Sequence, residues 1–433
     1  MASQPEGFRR TLPALGAAVP ITIIFVAVLS IVLTAAGTRG LRLSGAQTSS
    51  WVVAIYGLPA LPSIVLAVRY REPLLLTGNV FAIIFFASLG DQFSFAELSG
   101  ASLLTGAVVL VAAAFGLTRQ LAAWIPAPIV QGLIAGAVMP FVAGIFSGLS
   151  TTDEHGLGVE ARVPAMVGAA FLAYLLSRRF LGARVPPIFP ALVAGLAVAG
   201  LTGQLGPLPA SIGLPEITIT RPAFSISALA SVAPVLVALI TLQSNLPSVI
   251  YMRSQGFHPP ERVIDIVSGL GTMAGSFLGP NALSLALPLV PLTAGPGAGD
   301  MSVRYRSVFI PAAVLLLIAL LAGTAAAVAV LVPPLMLLAL AGLALVGVLA
   351  TALQGITRGP LLLGPMFAFA IALSKISLLG LGPFFWSLVL GTGVTLLLER
   401  DEWNQLRATE VGSSGARANL QGPDDGQTDV SVP

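Results

Sequence analysis

Residues 276–295 read SFLGPNALSLALPLVPLTAG, an apolar stretch carrying Gly279, Pro280 and Asn281 where a membrane-spanning helix would run unbroken. A backbone break at membrane depth leaves N–H and C=O groups that lipid cannot satisfy, at several kcal/mol each. Those groups must face protein, water or a ligand. The first half holds a second interruption, REPLLLTGNVFAIIFF at 71–86, where Gly78 and Asn79 follow Thr77. If each segment begins extended and then becomes a half-length helix, two helix N-termini meet near the bilayer centre. Free amides and positive dipole ends there favour an anionic group, by a few tenths to about 2 kcal/mol per helix. The competing reading is a pair of Gly/Pro kinks that only shape packing.

Composition sets the environment of these breaks. Of 433 residues, 56% are hydrophobic and 9% are charged, against about a quarter charged in a soluble chain. Apolar runs long enough for a hydrocarbon core of roughly 30 Å recur near 12–37, 48–68, 73–89, 101–123, 127–148, 163–181, 186–203, 224–250, 262–279, 281–295, 305–330, 333–353, 359–379 and 381–398. The chain therefore reads as an all-α polytopic membrane protein of fourteen segments, with the third and tenth short and broken. The first run follows Arg9 and Arg10, but from Leu12 to Gly37 it exceeds a signal-peptide core and is read as a retained span. Residues 1–11 are then a cytosolic N-terminus, 12–203 a first set of seven segments and 204–223 an extracytoplasmic linker. Residues 224–398 form a second set, and 399–433 a polar tail too poor in apolar residues to offset ordering entropy. The tail is too short for an appended regulatory domain.

Several function classes drop out. Cysteine is absent, so neither a disulfide framework nor a thiolate metal site is available. His155 and His258 have no metal-ligand spacing, and the net charge of +3 gives no reason to invoke nucleic acid. GLG at 269–271 and GPGAG at 295–299 lack the strand-turn-helix context and downstream acid of a nucleotide site. No nucleophile stands with a base, so neither an enzyme nor a cofactor is expected. The charge that matters is that of the loops, because cytoplasmic loops carry the Lys and Arg excess. With the N-terminus inside, only Arg39, Arg42, Arg162, Arg221 and Lys375 of the 21 Lys and Arg fall outside. Both termini are expected in the cytosol, in the inner or plasma membrane.

The two halves carry a weak internal repeat of the kind that builds transporters around a midplane site. Gly78-Asn79 stands in the third segment of one set and Gly279-Pro280-Asn281 in the third of the other. Pro128 to Gly136 and Pro334 to Gly342 are each eight apart, as are Pro187 to Gly195 and Pro383 to Gly391.

QTSSWVVAIYGLPALPSIVLAVRYREPLLLTGN at 47–79 resembles the benzoate-proton symporter (BenE) family, in its Ser-Ser-Trp opening and its Arg-Tyr-Arg-x-Pro approach to the third span. LITLQSNLPSVIYMRSQGFHPP at 239–260 is similar to that family's Gln-Asn-Leu-Pro-Gly segment and following Pro-Pro turn, and GPNALSLAL, VPP and GLGPFFWSLVLG follow in the family's order. The resemblance runs to about Glu399. It implies the seven-plus-seven inverted repeat of the uracil permease and sulfate permeases. A core domain of segments one to four and eight to eleven would face a gate domain of the rest, with substrate between them. It also implies an organic-anion substrate such as benzoate, moved with a proton by alternating access, and leaves a homodimer open. A sulfate-permease-type inorganic anion carrier and a nucleobase permease are the alternatives, ahead of a channel or a non-transporting scaffold. The short tail weighs against the sulfate-permease reading.

The residues themselves point to the same place. Gln243, Ser244 and Asn245 form a polar cluster inside an apolar run, either to bind substrate or to pair with other helices. Thr77, Asn79, Asn281 and Ser284 flank the breaks and are placed to hydrogen-bond a carboxylate or to orient exposed backbone, as Gly78, Gly279 and Pro280 shape it. Phe81 could flank an aromatic substrate or simply pack. No Asp or Glu lies in the middle of the first, eighth or tenth span. Asp265, Asp91 and Lys375 are interfacial charges on the plain reading, and Asp265 is also the nearest candidate for a proton carrier.

Overall fold

The computed structural model describes residues 18–37, 41–116, 125–147, 162–180, 187–205, 213–374, 376, 378–379 and 381–405. The first half runs α1 (Ala18–Ala36), α2 (Gly45–Tyr70), β1 (Leu76–Gly78), α3 (Val80–Ser88), α4 (Phe95–Ala114), α5 (Ala127–Ser147), α6 (Arg162–Phe180) and α7 (Ile188–Leu201). The second runs α8 (Ile226–Arg253), α9 (Glu261–Gly275), β2 (Leu283–Leu285), α10 (Val290–Ala294), α11 (Phe309–Leu320), α12 (Ala322–Leu331), α13 (Pro334–Thr357), α14 (Leu363–Leu373) and α15 (Pro383–Leu398). Among the described residues, six helices are long and apolar enough to cross a membrane. The eleventh run is interrupted at Leu321, where α11 gives way to α12.

Helix starts follow local chemistry. Ser44 and Gln47 close a capping box ahead of α2, and Ser94 and Glu97 close another ahead of α4. The second box starts α4 at Phe95, six residues before the apolar run that marks it in the sequence. The Pro-Gly spacings turn out to be packing devices. A Cβ on Gly136 would lie 2.7 Å from Phe369 O of α14, and one on Gly342 2.4 Å from Phe141 O of α5. Small residues let membrane helices approach this closely.

Both broken segments are strand followed by helix, and the two strands pair antiparallel with Leu76 opposite Leu285, Thr77 opposite Ser284 and Gly78 opposite Leu283. The pairing is two-fold about Thr77 and Ser284, so Leu76 corresponds to Leu283 at an offset of 207 residues. That offset equates Pro73 with Pro280 and Asn79 with Ala286, and it lies within one residue of the offset of 206 from Pro128 to Pro334. The sequence equation of Gly78-Asn79 with Gly279-Pro280-Asn281 is therefore out of register. Gly279 to Asn281 lead into β2, whereas Gly78 and Asn79 lead out of β1. The half-helices also differ: α3 has nine residues, while the tenth segment forms a 3-10 turn at Leu287–Leu289 and then the five-residue α10, because Pro288 and Pro291 interrupt it.

Three of the four outward N–H groups of the strands are paired through neighbouring helices, and that of Gly78 is not. Leu76 N donates to Ser63 Oγ of α2 at 2.9 Å, and its counterpart Leu283 N to Thr272 Oγ1 of α9 at the same distance. Leu285 N donates to Asn245 Oδ1 at 2.8 Å. These are the side-chain partners that a strand inside a membrane requires.

Candidate functional site

A partly open cavity lies where the two strand-helix joints meet α1, α2, α8 and α11. The centre of a water-sized sphere can move through about 60 Å³ of it, several times the ~10–15 Å³ that a single water needs. One wall is apolar, from Ile24, Phe25 and Val28 of α1, Ile55 and Tyr56 of α2, and Leu315 of α11. The opposite wall is made by Thr77 to Phe81, Ser244 and Ser284 to Leu289. Among the described residues no charged side chain lines it.

Asn79 organises the polar wall. Its Oδ1 accepts from Phe81 N at 3.0 Å and Ala82 N at 3.2 Å, capping α3. Its Nδ2 donates to Ser244 Oγ at 2.9 Å, Ser284 Oγ at 3.1 Å and Leu239 O at 3.2 Å. All of these groups are buried. The cap leaves Val80 N–H at the first helical position unused, and among the described residues neither it, Gly78 N–H nor Leu287 N–H has an acceptor. Gly78, Val80 and Leu287 all line the cavity. Unpaired donors at two helix starts, with two hydroxyls between them, suit an anion better than a cation.

A π turn at Thr241–Asn245 in α8 sends three successive side chains three ways. Ser244 joins Asn79 at the cavity. Asn245 turns to α9, where its Nδ2 donates to Asp265 Oδ1 at 2.8 Å and Ser268 Oγ at 3.0 Å, while its Oδ1 holds β2. Gln243 meets Gln131 of α5, whose Nε2 donates to Gln243 Oε1 at 3.3 Å.

Of the residues singled out from sequence, Thr77, Gly78, Asn79, Phe81, Ser244 and Ser284 surround the cavity. Gln243 and Asn245 stand behind it. Gly279, Pro280 and Asn281 lie away from it, packed on α2 and α4: Trp51 Nε1 donates to Pro280 O at 2.7 Å, and Asn281 N to Ser102 Oγ at 3.1 Å. Gly279 sits at φ +143° between Trp51 and Phe95, a turn that only glycine makes easily. Asp265 is buried against Asn245 rather than at an interface, whereas Asp91 forms an exposed ion pair with Arg42 at 2.7 Å. Lys375 and His155 lie outside the described residues.

Sequence reasoning missed the α1 wall, Tyr56, Leu315 and the 286–289 turn. The offset from Pro73 to Pro280 would have pointed to that turn, since it places Ala286 at the counterpart of Asn79. For the apolar wall, one Ile or Phe in a membrane helix carries no mark of what it faces.

The sequence model of the BenE family, described as Benzoate membrane transport protein, matches residues 10–397. A Benzoate membrane transport protein of Acinetobacter baylyi is 26% identical over 345 residues, covering 79% of this chain and 84% of that protein. The Inner membrane protein YdcO of Escherichia coli is 22% identical over 351 residues, covering 80% of this chain and 86% of its own. Among solved structures, the transmembrane domain of the cyanobacterial bicarbonate transporter BicA superposes with a TM-score of 0.51 at 18% identity, over 90% of this chain and 97% of that one. The murine anion transporter Slc26a9 in its inward-facing state gives 0.61 at 12% identity, over 93% and 73%. The shared fold is the seven-plus-seven inverted repeat.

Proposed function

This chain belongs to the benzoate membrane transport protein (BenE) family, and from that premise we propose that it is a secondary active carrier of a monocyclic aromatic carboxylate such as benzoate, driven by protons. That it is a multi-pass membrane anion transporter and not an enzyme follows from the family itself. The finer reading rests on one observation: an uncharged cavity with unpaired N–H groups at Gly78, Val80 and Leu287 opposite an apolar wall from α1 and α11. A carboxylate oxygen would take the N–H groups and the hydroxyl of Ser244, and that of Ser284 once it turns from Leu285 O, to which it donates at 3.3 Å. The ring would lie against Ile24, Phe25, Val28 and Leu315.

An inorganic anion fits this cavity less well, because its hydration would be exchanged for a largely hydrocarbon wall. A nucleobase would leave edge donors and acceptors unpaired there, at about 1–3 kcal/mol each. The described residues that line the cavity all belong to segments assigned to the core, so a gate would have to close over it from outside, and the Gln131–Gln243 contact joins α5 to α8, where a gate and a core would slide past one another. In this reading both termini lie in the cytosol and the carrier exposes the cavity alternately to each side.

Thermal shift of the purified protein tests the substrate. Benzoate should raise the unfolding temperature while uracil, sulfate and bicarbonate should not. Ligand at a hundred times its Kd stabilises the folded state by about 2.7 kcal/mol. Trans-stimulation of labelled benzoate uptake by unlabelled benzoate then separates a carrier from a channel. Stabilisation by sulfate or bicarbonate alone would overturn the aromatic-carboxylate reading.

A further inference from the structure

Among the described residues no carboxylate, imidazole or basic side chain lines the cavity, yet a buried carboxylate stands just upstream of β1. Glu72 is 8% exposed. Its Oε1 accepts from His258 N at 2.7 Å, whereas Oε2 is buried and has no hydrogen-bond partner among the described residues. Its surroundings are apolar: Leu74 and Phe257, the near neighbours in sequence of Glu72 and His258, belong to one buried cluster with Leu66, Val249 and Ile264. A carboxylate with one oxygen unpaired in such a place is held more easily neutral than ionised.

We propose that Glu72 is a proton-binding site of this carrier, loaded from solution at the loop that carries His258, and that its protonation is the step that couples transport to the proton gradient. The inference rests on the proton-driven reading above and gives it a residue. A proton delivered by a hydronium ion binds Oε2 and leaves a water molecule behind, and it returns to water by the same path.

The connection to the cavity is short and covalent. Glu72 O accepts from Leu74 N at 2.8 Å, and Leu75 O accepts from Ala286 N at 3.0 Å, the first rung of the β1 and β2 ladder. Two residues on stand Thr77 and Gly78 of the cavity. His258, for its part, lies on the loop between α8 and α9, and α8 carries Ser244. A charge gained or lost at Glu72 therefore acts where the polar wall of the site is anchored in both halves.

The other charged groups nearby have partners of their own. Arg71 Nη1 donates to Tyr305 OH at 2.9 Å, Arg69 lies over the Tyr70 ring and Arg253 pairs with Glu261. Arg262 donates to Ala114 O at 2.8 Å, and Asp265 accepts from Asn245. His258 is the charged neighbour acting on Glu72, and burial pushes the carboxyl upward against the pull of the His258 N–H and its charge.

The test is Glu72→Gln in the full chain, reconstituted in liposomes with benzoate as probe. Gln keeps an oxygen for the His258 N–H and cannot titrate. Counterflow should persist in Glu72→Gln, with its pH dependence flattened, while accumulation driven by a pH gradient is lost. With one proton per substrate, a one-unit gradient sustains about tenfold accumulation in the wild type. Gradient-driven accumulation by Glu72→Gln at the wild-type level overturns the assignment and leaves proton coupling standing. A wild type that ignores the gradient overturns both. If Glu72→Gln loses counterflow, Glu72→Asp decides: an Asp variant that restores gradient-driven accumulation supports the site. One that restores nothing, with a lowered unfolding temperature, assigns Glu72 to the fold and overturns the proposal.

Discussion

Asn79 Nδ2 donates to Ser244 Oγ at 2.9 Å across 165 residues of chain, which makes the strand-to-helix joint of the first half and the π turn of α8 one hydrogen-bonded unit. The same amide caps α3 and reaches Ser284 on the other strand. One side chain thus fixes which backbone donors are used and which stay open to the cavity.

Asn79→Ala should weaken benzoate binding to the purified protein by tenfold or more, the equivalent of ~1.4 kcal/mol. It should also lower stability, because a lost N-cap costs about 0.5–2 kcal/mol. Calorimetric titration and thermal unfolding measure the two separately. Unchanged affinity with lowered stability would make Asn79 a structural joint only.

The two glycines of the breaks should separate cleanly. A Cβ on Gly78 would lie 2.7 Å from Ile55 Cγ2 at the cavity, and one on Gly279 2.5 Å from Phe95 Cζ, away from it. Gly78→Ala should cut transport while the protein still inserts and folds. Gly279→Ala, at a positive φ, should lower the unfolding temperature more than it changes affinity. Reversed outcomes would place the ligand on the wrong side of β2.

The fold was legible because lipid leaves so few options. Twenty-residue apolar runs and two broken segments suffice for a polytopic inverted repeat. Asn79 and Ser284 were legible for the same reason, as polar residues beside backbone that lipid cannot satisfy. Register was not. Gly78-Asn79 and Gly279-Pro280-Asn281 look alike as letters, but one leaves a strand and the other enters it, and only the pairing of Thr77 with Ser284 tells them apart. Glu72 was passed over because a Glu beside Arg71 at a helix end reads as a loop charge. Its hydrogen-bond partner is the His258 N–H, 186 residues away.

Asn245 and Asp265 form the support behind β2. Asn245→Leu removes the acceptor of Leu285 N and strips Asp265 of a donor, so a buried backbone group and a buried carboxylate both lose a partner. The expected cost is about 1–3 kcal/mol for the unpaired N–H alone, read as a lower unfolding temperature. Asp265→Asn should keep gradient-driven uptake if Glu72 carries the proton. Loss of uptake only in Asp265→Asn would return the coupling role to Asp265.

Cysteine labelling checks the orientation that the arginines imply. Ser302→Cys, at an exposed position, should react only from the cytosol, and Ile219→Cys, also exposed, only from outside. Ser177 lies on the inner side by the same rule, but it is buried and would label poorly; Arg178 beside it is exposed and serves instead. Thr152, an outer site by the same rule, lies outside the described residues. Labelling of Ile219→Cys from the cytosol would overturn the loop-charge argument.

Glu399, at the end of α15, accepts from Leu362 N and Leu363 N at 2.6 Å and from Gly364 N at 2.9 Å, and so closes the N-terminus of α14. Burial alone would raise its carboxyl, but the three N–H groups and Thr395 outweigh it and hold it below the ordinary 4.5. A folded-state value below the unfolded one means that the stabilisation is fully present above about pH 4.5 and fades as pH falls through the depressed folded value. Glu399→Gln should therefore lower the unfolding temperature at pH 7, by an amount corresponding to roughly 1–3 kcal/mol for a buried charge-assisted contact. The gap between variant and wild type should narrow as the pH falls from 4.5 through the depressed folded value. A gap that is the same at both ends of that range would mean that the carboxylate charge contributes nothing at this helix start and that the contact is only one of shape.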